Sequence, residues 1–325
     1  MTDLREKLRE LFGAPRTEAL LFPGSGTSMM QAAILNFIRP DEPVLIANTG
    51  FFADRWYDIA KRYKATVHEC KSTWGETYYF TVLAQSLKTY QPKLLLMQAA
   101  ETSTGVVNGC HHMKGVLAQF SPKTLLAVDA VLAGGLYPIK MEQQGIDILI
   151  GASQKAFLLP PGLSFILIGP RAMEVLKYEE LAYPEYFLDI RDELRFVRKN
   201  SIRFTPPVDL IMGMQAILAH VLQREEQWYI EHENRSRYFR HELLKLGFRE
   251  FPRSTPVEGL SVLRVPPGWR ATDLVDRLEE KGYKIAPGLG ETRDEVIRIA
   301  HFDSTKYALD PFINAVKETL LNIKW

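Results

Sequence analysis

The sequence predicts an α/β protein in which helices cover both faces of a mostly parallel sheet. Short apolar runs alternate with amphipathic helical patterns through the first two-thirds of the chain. Several runs are apolar on consecutive residues, which is typical of strands buried on both faces. The pattern changes after Pro206-Pro207, and this change predicts a second, smaller α+β domain.

The predicted strands of the first part are apolar and are followed by polar or glycine-bearing loops. They are Ala19–Phe22, Val44–Ala47, Lys93–Gln98, Leu125–Val128, Ile146–Ile150 and Ser164–Ile168. Between the first two, apolar residues recur at helical spacing and predict a helix over Thr27–Ile38, which ends before Pro40. Such strand–helix–strand units predict an open, doubly wound sheet.

The second part of the chain begins with long helical sequence from Val208 to about Leu246 that contains no proline. After it we predict strands and helices of an α+β domain: strand Leu260–Val265, helix Ala271–Lys281, strand Lys284–Ala286, strand Val296–Ala300 and helix Pro311–Ile323. The predicted division is a large domain over residues 1–225 and a small domain over residues 226–325.

Composition excludes several classes of protein. The chain has 325 residues, of which 46% are hydrophobic and 24% charged, and its net charge is +1. This balance gives no electrostatic basis for binding nucleic acid or an anionic membrane. Two cysteines, Cys70 and Cys110, cannot form a disulfide framework and favour a reducing compartment. We expect a soluble, cytoplasmic protein that has no apolar stretch approaching the ~20 residues of a membrane span.

The loop after the first strand, residues 23–28, has the composition of an anion site. Ser25 and Thr27 add hydroxyl donors, and Gly26 lets backbone N–H groups approach a ligand at a helix N-terminus. The alternative is a plain N-capping turn. The spacing matches neither a P-loop nor a dinucleotide-binding fingerprint.

Three other loops carry polar groups after buried strands. Asp129 ends an apolar run, Lys155 lies among small and apolar residues, and residues 101–105 are rich in hydroxyls. Each has an ordinary structural alternative: an ion pair, a surface lysine or a turn. Together they describe a site for pyridoxal phosphate, which needs an anion site, a Schiff-base lysine and a carboxylate facing its ring nitrogen.

Four motifs identify a family that the chain resembles. They are VDAV (128–131), GIDI (145–148), GASQK (151–155) and PPGL (160–163). These residues resemble the class V aminotransferases, and the most similar branch is that of the alanine–glyoxylate and serine–pyruvate aminotransferases. The resemblance implies fold type I of the pyridoxal-phosphate enzymes: a large domain with a mostly parallel, seven-stranded sheet, a small C-terminal α+β domain, and a homodimer.

The resemblance also implies roles for individual residues. Lys155 matches the Schiff-base lysine and Asp129 the partner of the pyridine nitrogen. Arg298 matches the arginine that binds the substrate carboxylate, which a guanidinium does through two parallel hydrogen bonds; the alternative is a salt bridge that closes the domains. Thr205 matches a residue that reaches the phosphate of the partner subunit. The remaining matched cofactor contacts are Ser25, Gly26, Thr27, Phe52, Thr102, Val131 and Gln154.

The chain departs from the family pattern in three places. It starts almost at the first helix, so we expect it to lack the family's N-terminal arm. Ile202 stands where some members carry a phosphate-binding tyrosine, and Ala300 where glycine is common.

The run Cys110-His111-His112 has no second ligand pair at metal-site spacing, and we predict no metal.

The function that these residues imply is transfer of an amino group from a small amino acid, such as alanine or serine, to a 2-oxo acid such as glyoxylate or pyruvate. Lys155 would act as general base and acid. Two alternatives remain open. A pyridoxal-phosphate lyase or decarboxylase would use the same cofactor residues, and a degenerate family member would bind partners without catalysis.

Overall fold

The computed structural model of the chain describes residues 1–180, 182–303 and 306–321. The first part is built around one seven-stranded sheet. Its elements in chain order are α1 (Thr2–Leu11), β1 (Glu18–Gly24), α2 (Gly26–Phe37), β2 (Pro43–Asn48), α3 (Phe51–Arg62), β3 (Thr66–Lys71), α4 (Phe80–Tyr90), β4 (Leu94–Gln98), β5 (Ala100–Glu101), β6 (Val106–Val107), α5 (Met113–Phe120), β7 (Leu125–Asp129), α6 (Met141–Gln144), β8 (Ile148–Ala152), β9 (Gly162–Ile168), α7 (Pro170–Tyr178), α8 (Ile190–Arg198) and α9 (Val208–Gln223).

The strands of this sheet are ordered β1-β9-β8-β7-β4-β2-β3. β3, β2, β4, β7 and β8 pair in parallel with their neighbours in that series, whereas β9 is antiparallel to both β1 and β8. Six of the seven strands therefore run in one direction, which confirms the predicted mostly parallel sheet. As a result, the carboxyl ends of β1, β2, β4, β7 and β8 meet at one edge.

Helices cover both faces of the sheet, and β4 shows why its sequence is apolar throughout. Leu94 and Leu96 join the core that includes residues of α2 and α3. Leu95 and Met97 join the core that includes residues of α1 and α5. Alternate side chains of the strand point to opposite faces, so a strand covered on both faces is apolar at consecutive positions.

The smaller C-terminal domain contains a four-stranded antiparallel sheet of order β10-β11-β13-β12. A buried cluster that includes Phe239, Leu263, Leu274, Ile297 and Phe312 joins this sheet to its helices. The elements of this part are α10 (Glu225–Lys245), β10 (Arg249–Glu250), β11 (Leu260–Arg264), α11 (Ala271–Glu280), β12 (Ala286–Pro287), β13 (Val296–Ala300) and α12 (Lys306–Leu321), with a 3₁₀ turn over Gly290–Thr292.

In the first part, β3 and β8 are among the strands that differ from the sequence prediction. β3 was not predicted, because it lies at the sheet edge and Cys70 is its only buried residue, which leaves little apolar pattern. The strand predicted at Ile146–Ile150 begins and ends two residues later, as β8. Gly151 and Ala152 still pair with β9, so the loop that carries Lys155 begins only at Ser153.

Three elements of the second part also differ. The predicted continuous helix is broken at Arg224, whose backbone is not helical (φ −144°, ψ 37°), so that α9 and α10 are separate. The strand predicted at Lys284–Ala286 is the two-residue β12. The last helix begins at Lys306 and contains Pro311, and the end predicted for it at Ile323 lies outside the described residues.

Candidate active site

A cavity of about 220 Å³ lies at the sheet edge where the carboxyl ends of the parallel strands meet. It brings together nine of the eleven residues that the sequence analysis selected. These are Ser25, Gly26, Thr27, Phe52, Thr102, Asp129, Val131, Gln154 and Lys155. The cavity is therefore the candidate site for the cofactor.

The N-terminus of α2 forms one wall of the cavity. Ser25 is the N-cap residue, but its hydroxyl makes no capping hydrogen bond within the described part of the chain, so the plain capping alternative does not account for it. A Cβ atom on Gly26 would lie 2.5 Å from Cγ2 of Val131. Only glycine lets the first turn of α2 approach the loop after β7 this closely. Free N–H groups and the helix dipole make this wall suitable for an anion.

Asp129, the last residue of β7, lies in the floor of the cavity. The residue is 7% exposed, and its carboxylate accepts a hydrogen bond from the Val131 N–H at 2.8 Å. Burial raises the pKa of Asp129 to about 6, although the Val131 N–H and the charges of Arg55 and Lys155 lower it. A cation bound beside this carboxylate would lower its pKa and stabilise its charged form. Asp129 is therefore suited to face a protonated ring nitrogen.

Lys155 follows β8 on a loop that internal hydrogen bonds hold in place. Ser153 donates its N–H to Leu163 O at 3.0 Å and its hydroxyl to Pro160 O at 2.7 Å. Burial lowers the pKa of Lys155, the charge of Arg298 lowers it further, and Asp129 raises it. A lowered pKa makes the amine more available as a nucleophile and a base.

Glu101 fixes the start of α3, which carries Phe52 into the cavity. Its carboxylate is fully buried and accepts hydrogen bonds from the Phe52 N–H at 3.2 Å and from the N–H and hydroxyl of Ser103 at 2.9 and 2.7 Å. Burial raises the pKa of Glu101 to about 7, against the effect of these hydrogen bonds. A Cβ atom on Gly50 would lie 2.5 Å from the Ser103 hydroxyl, which explains the glycine before the helix.

Two residues of the cavity wall that could contact the cofactor were not predicted from the sequence. Gln98 ends β4, where a polar residue after four apolar ones marks the carboxyl end of a buried strand. Arg55 follows Phe52 by three residues, so the two share one face of α3. Its guanidinium donates to the Thr27 hydroxyl at 2.8 Å and lies 4.7 Å from the centre of the Phe52 ring. Grouping the residues of α3 by helix face would have placed Arg55 beside Phe52.

The donor and acceptor groups of the cavity fit pyridoxal phosphate. Among the described residues, both amide atoms of Gln98 and the Oε1 atom of Gln154 are buried without a hydrogen-bond partner. Buried polar atoms without partners are costly unless a ligand or water satisfies them. Together with the α2 N-terminus, Asp129 and Lys155, they match a molecule that carries a phosphate, a basic ring nitrogen and an aldehyde.

Arg298 and Thr205 do not line this cavity. Arg298 lies on β13 and donates its Nε–H to Pro287 O at 3.0 Å. Burial lowers the pKa of Arg298, and the charge of Glu101 raises it. The charge of Arg298 also lowers the pKa of Lys155, which lines the cavity. Thr205 is exposed on the segment before α9.

Cys110, His111 and His112 line a different cavity, of about 550 Å³. In the described ranges, no group of three or more His, Cys, Asp or Glu residues is arranged to hold a metal ion. In the same ranges, no helix combines the length and the apolar character needed to cross a membrane.

Comparison with known proteins assigns a family. The model of the Aminotransferase class-V family matches residues 1–289. The L-aspartate–glyoxylate aminotransferase of Paracoccus denitrificans is 30% identical over 94% of this chain and 78% of its own length. The alanine–glyoxylate aminotransferase of Rattus norvegicus is 27% identical over 98% of this chain and 79% of its own. The crystal structure of alanine–glyoxylate aminotransferase from Nostoc sp. superposes with a TM-score of 0.92 at 27% identity, covering 99% of this chain and 86% of that one.

The seven-stranded sheet and the lysine–aspartate cavity at its edge define a pyridoxal-phosphate enzyme of the α/β class. Within that class, the chain belongs to the class V aminotransferase family. It is accordingly a pyridoxal-phosphate-dependent aminotransferase, as the resemblance of its sequence motifs implies.

Proposed function

We propose that this enzyme transfers the amino group of a small amino acid, such as alanine, serine or aspartate, to glyoxylate or pyruvate. The observation that carries the proposal is the shared cavity of Lys155, Asp129 and the α2 N-terminus. The relatives named above are glyoxylate aminotransferases, which supports glyoxylate as the acceptor.

The roles of the residues follow from their chemistry. When bound, pyridoxal phosphate withdraws electrons from the substrate Cα and carries the amino group between the two substrates. Ser25, Thr27 and the N–H groups beside Gly26 would hold its phosphate. Asp129 would keep the ring nitrogen protonated, and the half-buried Phe52 would stack on the ring.

Lys155 and Arg298 would act on the substrate. The amine of Lys155 has a lowered pKa, and would take the proton from Cα and return it, as a general base and acid does. Arg298 would bind the substrate carboxylate through both arms of its guanidinium. Thr102, Val131 and Gln154 supply further cofactor contacts in this assignment.

We also propose a homodimer in which Thr205 reaches the phosphate site of the partner. Exposed apolar side chains flank Thr205: Ile202 is 49% exposed, and Val208 and Met212 are 55% and 63% exposed. The last two are four residues apart on α9, and therefore lie on one face. Burial of this face in a dimer would remove apolar surface from water. Comparing the sedimentation of wild type and Met212→Glu tests this interface. A monomeric wild type would contradict the proposed homodimer.

The domain boundary and the compartment are proposals of the same kind. The break between α9 and α10 at Arg224 supports a boundary near residue 225. Cys70 and Cys110 are free thiols in the structure, which supports a reducing, cytoplasmic environment.

The decisive experiment traps the cofactor on its lysine. The purified protein is incubated with pyridoxal phosphate, reduced with borohydride, digested and analysed by mass spectrometry. We expect the phosphopyridoxyl group on Lys155 in wild type, none there in Lys155→Ala, and normal labelling in the matched control Lys123→Ala, whose lysine is exposed. Labelling of Lys155→Ala at the wild-type level would contradict the assignment.

A second measurement separates transamination from lyase or decarboxylase chemistry. The loaded enzyme is mixed with alanine, serine or aspartate in the absence of an acceptor. We expect pyridoxamine phosphate and the matching 2-oxo acid in equal amounts. Glyoxylate added afterwards should be converted to glycine as the pyridoxamine phosphate is consumed. Release of carbon dioxide or ammonia without pyridoxamine phosphate would overturn the proposed reaction.

A further inference from the structure

Arg55 is a cation in the wall of the cofactor cavity to which none of the family matches assigns a role. It lies in the second turn of α3 and is half-buried. Its terminal nitrogen Nη1 donates to Oγ1 of Thr27 at 2.8 Å. Its guanidinium carbon lies 4.7 Å from the centre of the Phe52 ring. Arg55 therefore contacts two residues that are themselves assigned to the cofactor, one on the phosphate side and one on the ring side.

The contact with Thr27 determines what the hydroxyl can do. A threonine hydroxyl has one proton to donate and two lone pairs that accept. Because the guanidinium has only donors, the Thr27 oxygen must be the acceptor in this pair. The hydroxyl proton then stays available for another acceptor. With Thr27 in the first turn of α2, next to the free N–H groups, the suitable acceptor is an anion.

Arg55 also lacks a close ion pair in the described residues, although its charge acts at longer range on Asp129. Among residues 1–180, 182–303 and 306–321, no carboxylate oxygen lies within 4.0 Å of its guanidinium. The neighbouring Asp54 is not its partner, since the Asp54 carboxylate accepts from the Asn48 amide at 2.8 Å. A half-buried guanidinium directed into a cavity without a paired carboxylate is typical of an anion site, because the ligand supplies the missing charge.

We propose that Arg55 is a positioning residue of the phosphate site: it holds the Thr27 hydroxyl as a donor toward the cofactor phosphate and supplies a positive charge there. The proposal rests on the proposed function, since it needs pyridoxal phosphate in this cavity. It adds a cation to a phosphate site that otherwise consists of neutral hydroxyl and N–H groups. The contact with Phe52 couples that cation to the ring that would stack on the cofactor.

The test compares two ligands that differ only in the phosphate. Dissociation constants of pyridoxal phosphate and of pyridoxal are measured by fluorescence titration of the cofactor-free protein, in wild type and in Arg55→Gln. A charge-assisted interaction lost at this site predicts roughly 10- to 100-fold weaker binding of pyridoxal phosphate. Pyridoxal should change by less than about threefold, because it lacks the group that Arg55 serves. Arg62→Gln, an exposed arginine on the same helix, is the matched control and should change neither value.

Two more variants test the route through Thr27. Thr27→Val keeps the shape of the side chain and removes the hydroxyl, and the double variant Arg55→Gln/Thr27→Val completes a cycle. If Arg55 acts partly through the hydroxyl, the double variant loses less affinity than the product of the single losses. Arg55→Lys should regain part of the affinity for pyridoxal phosphate, because it keeps the charge but not the planar fork.

The outcomes separate the possible failures. If Arg55→Gln weakens the binding of pyridoxal phosphate and pyridoxal equally, Arg55 only packs on Phe52, and the proposal is overturned. Unchanged affinity of Arg55→Gln for pyridoxal phosphate would overturn the proposal too. If the affinity loss of the double variant equals the product of the two single losses, Arg55 does not act through the Thr27 hydroxyl. The melting temperature of each cofactor-free variant reports misfolding, and Arg55→Lys then decides the charge effect. Failure of wild type to bind pyridoxal phosphate would instead overturn the proposed function.

Discussion

Replacement of Gly26 by alanine tests whether the close approach of α2 to the loop after β7 shapes the cofactor site. The new Cβ atom would lie 2.5 Å from Cγ2 of Val131, against about 3.5–4.0 Å for carbon atoms at their best separation. Val131 or the helix must therefore move by roughly 1 Å to separate these two carbon atoms. Val131 is stiff about χ1, and its N–H holds the Asp129 carboxylate.

Overpacking of this kind costs about 1–3 kcal/mol. Part of that cost falls on the folded protein, and we expect the melting temperature of the cofactor-free Gly26→Ala protein to decrease. The part of the cost that distorts the cofactor site weakens binding, and each ~1.4 kcal/mol raises the dissociation constant tenfold. The expected weakening of pyridoxal phosphate binding is therefore roughly 5- to 150-fold. Both quantities are measured on the purified protein, by thermal unfolding and by fluorescence titration.

Two further variants make the test specific. Val131→Ala in the Gly26→Ala background removes the atom that clashes and should restore much of the affinity. Gly115→Ala is the matched control: this glycine lies inside α5, and apart from its chain neighbours and the helix backbone no atom lies within 4 Å of the added carbon. It should gain about 0.5–1 kcal/mol of stability from the better helix propensity and leave cofactor binding unchanged. Wild-type stability and wild-type affinity in Gly26→Ala would refute the reasoning.

Two other predictions concern Arg298 and His232. Arg298→Lys should slow the reaction of the loaded enzyme with its amino acid by roughly 30- to 1000-fold, from a loss of about 2–4 kcal/mol in transition-state binding. The affinity for pyridoxal phosphate should stay as in wild type, and stopped-flow absorbance and titration check the two values. His232 is buried, and burial lowers its pKa to about 4, so the unfolded state binds a proton first as the pH falls below about 6.5. Wild type should therefore lose about 2 kcal/mol of stability between pH 7 and pH 5 relative to His232→Phe, whereas His241→Gln, an exposed control, should follow wild type. Equal pH slopes of wild type and His232→Phe in thermal unfolding would contradict this account.

The parts of the fold that the sequence predicted are those where burial imposes a pattern. β4 and β7 are buried along their whole length, and their continuous apolar runs predicted them closely. β3 has one buried residue at the sheet edge, so its sequence carries little information about pairing. The direction of β9 depends on its neighbours rather than on its own composition, and no proline or glycine marks the break at Arg224. Neither is encoded in a local periodicity.

The candidate site was predictable to the extent that its residues follow strands. Ser25, Asp129 and Lys155 each come just after or at the end of a predicted strand, and the topology of a parallel sheet gathers such positions at one edge. Arg55 was missed because its place depends on a helix face, and Gln98 because it was counted as part of the strand. Arg298 comes from the C-terminal domain, so strand ends alone could not have selected it.

The charges of the cavity explain why one molecule suits all of these residues. Asp129 is a buried carboxylate whose pKa is raised to about 6, and a cation beside it would stabilise its anionic form further. Arg55 and the N-terminus of α2 present positive charge with no carboxylate of the described chain within ion-pair distance of the guanidinium. The site thus requires a positive group at one place and a negative group at another. Pyridoxal phosphate carries a protonated ring nitrogen and a phosphate on one rigid ring, and its aldehyde is the group that a lysine of lowered pKa such as Lys155 attacks. Each requirement alone would admit many ligands, but the three together select this cofactor.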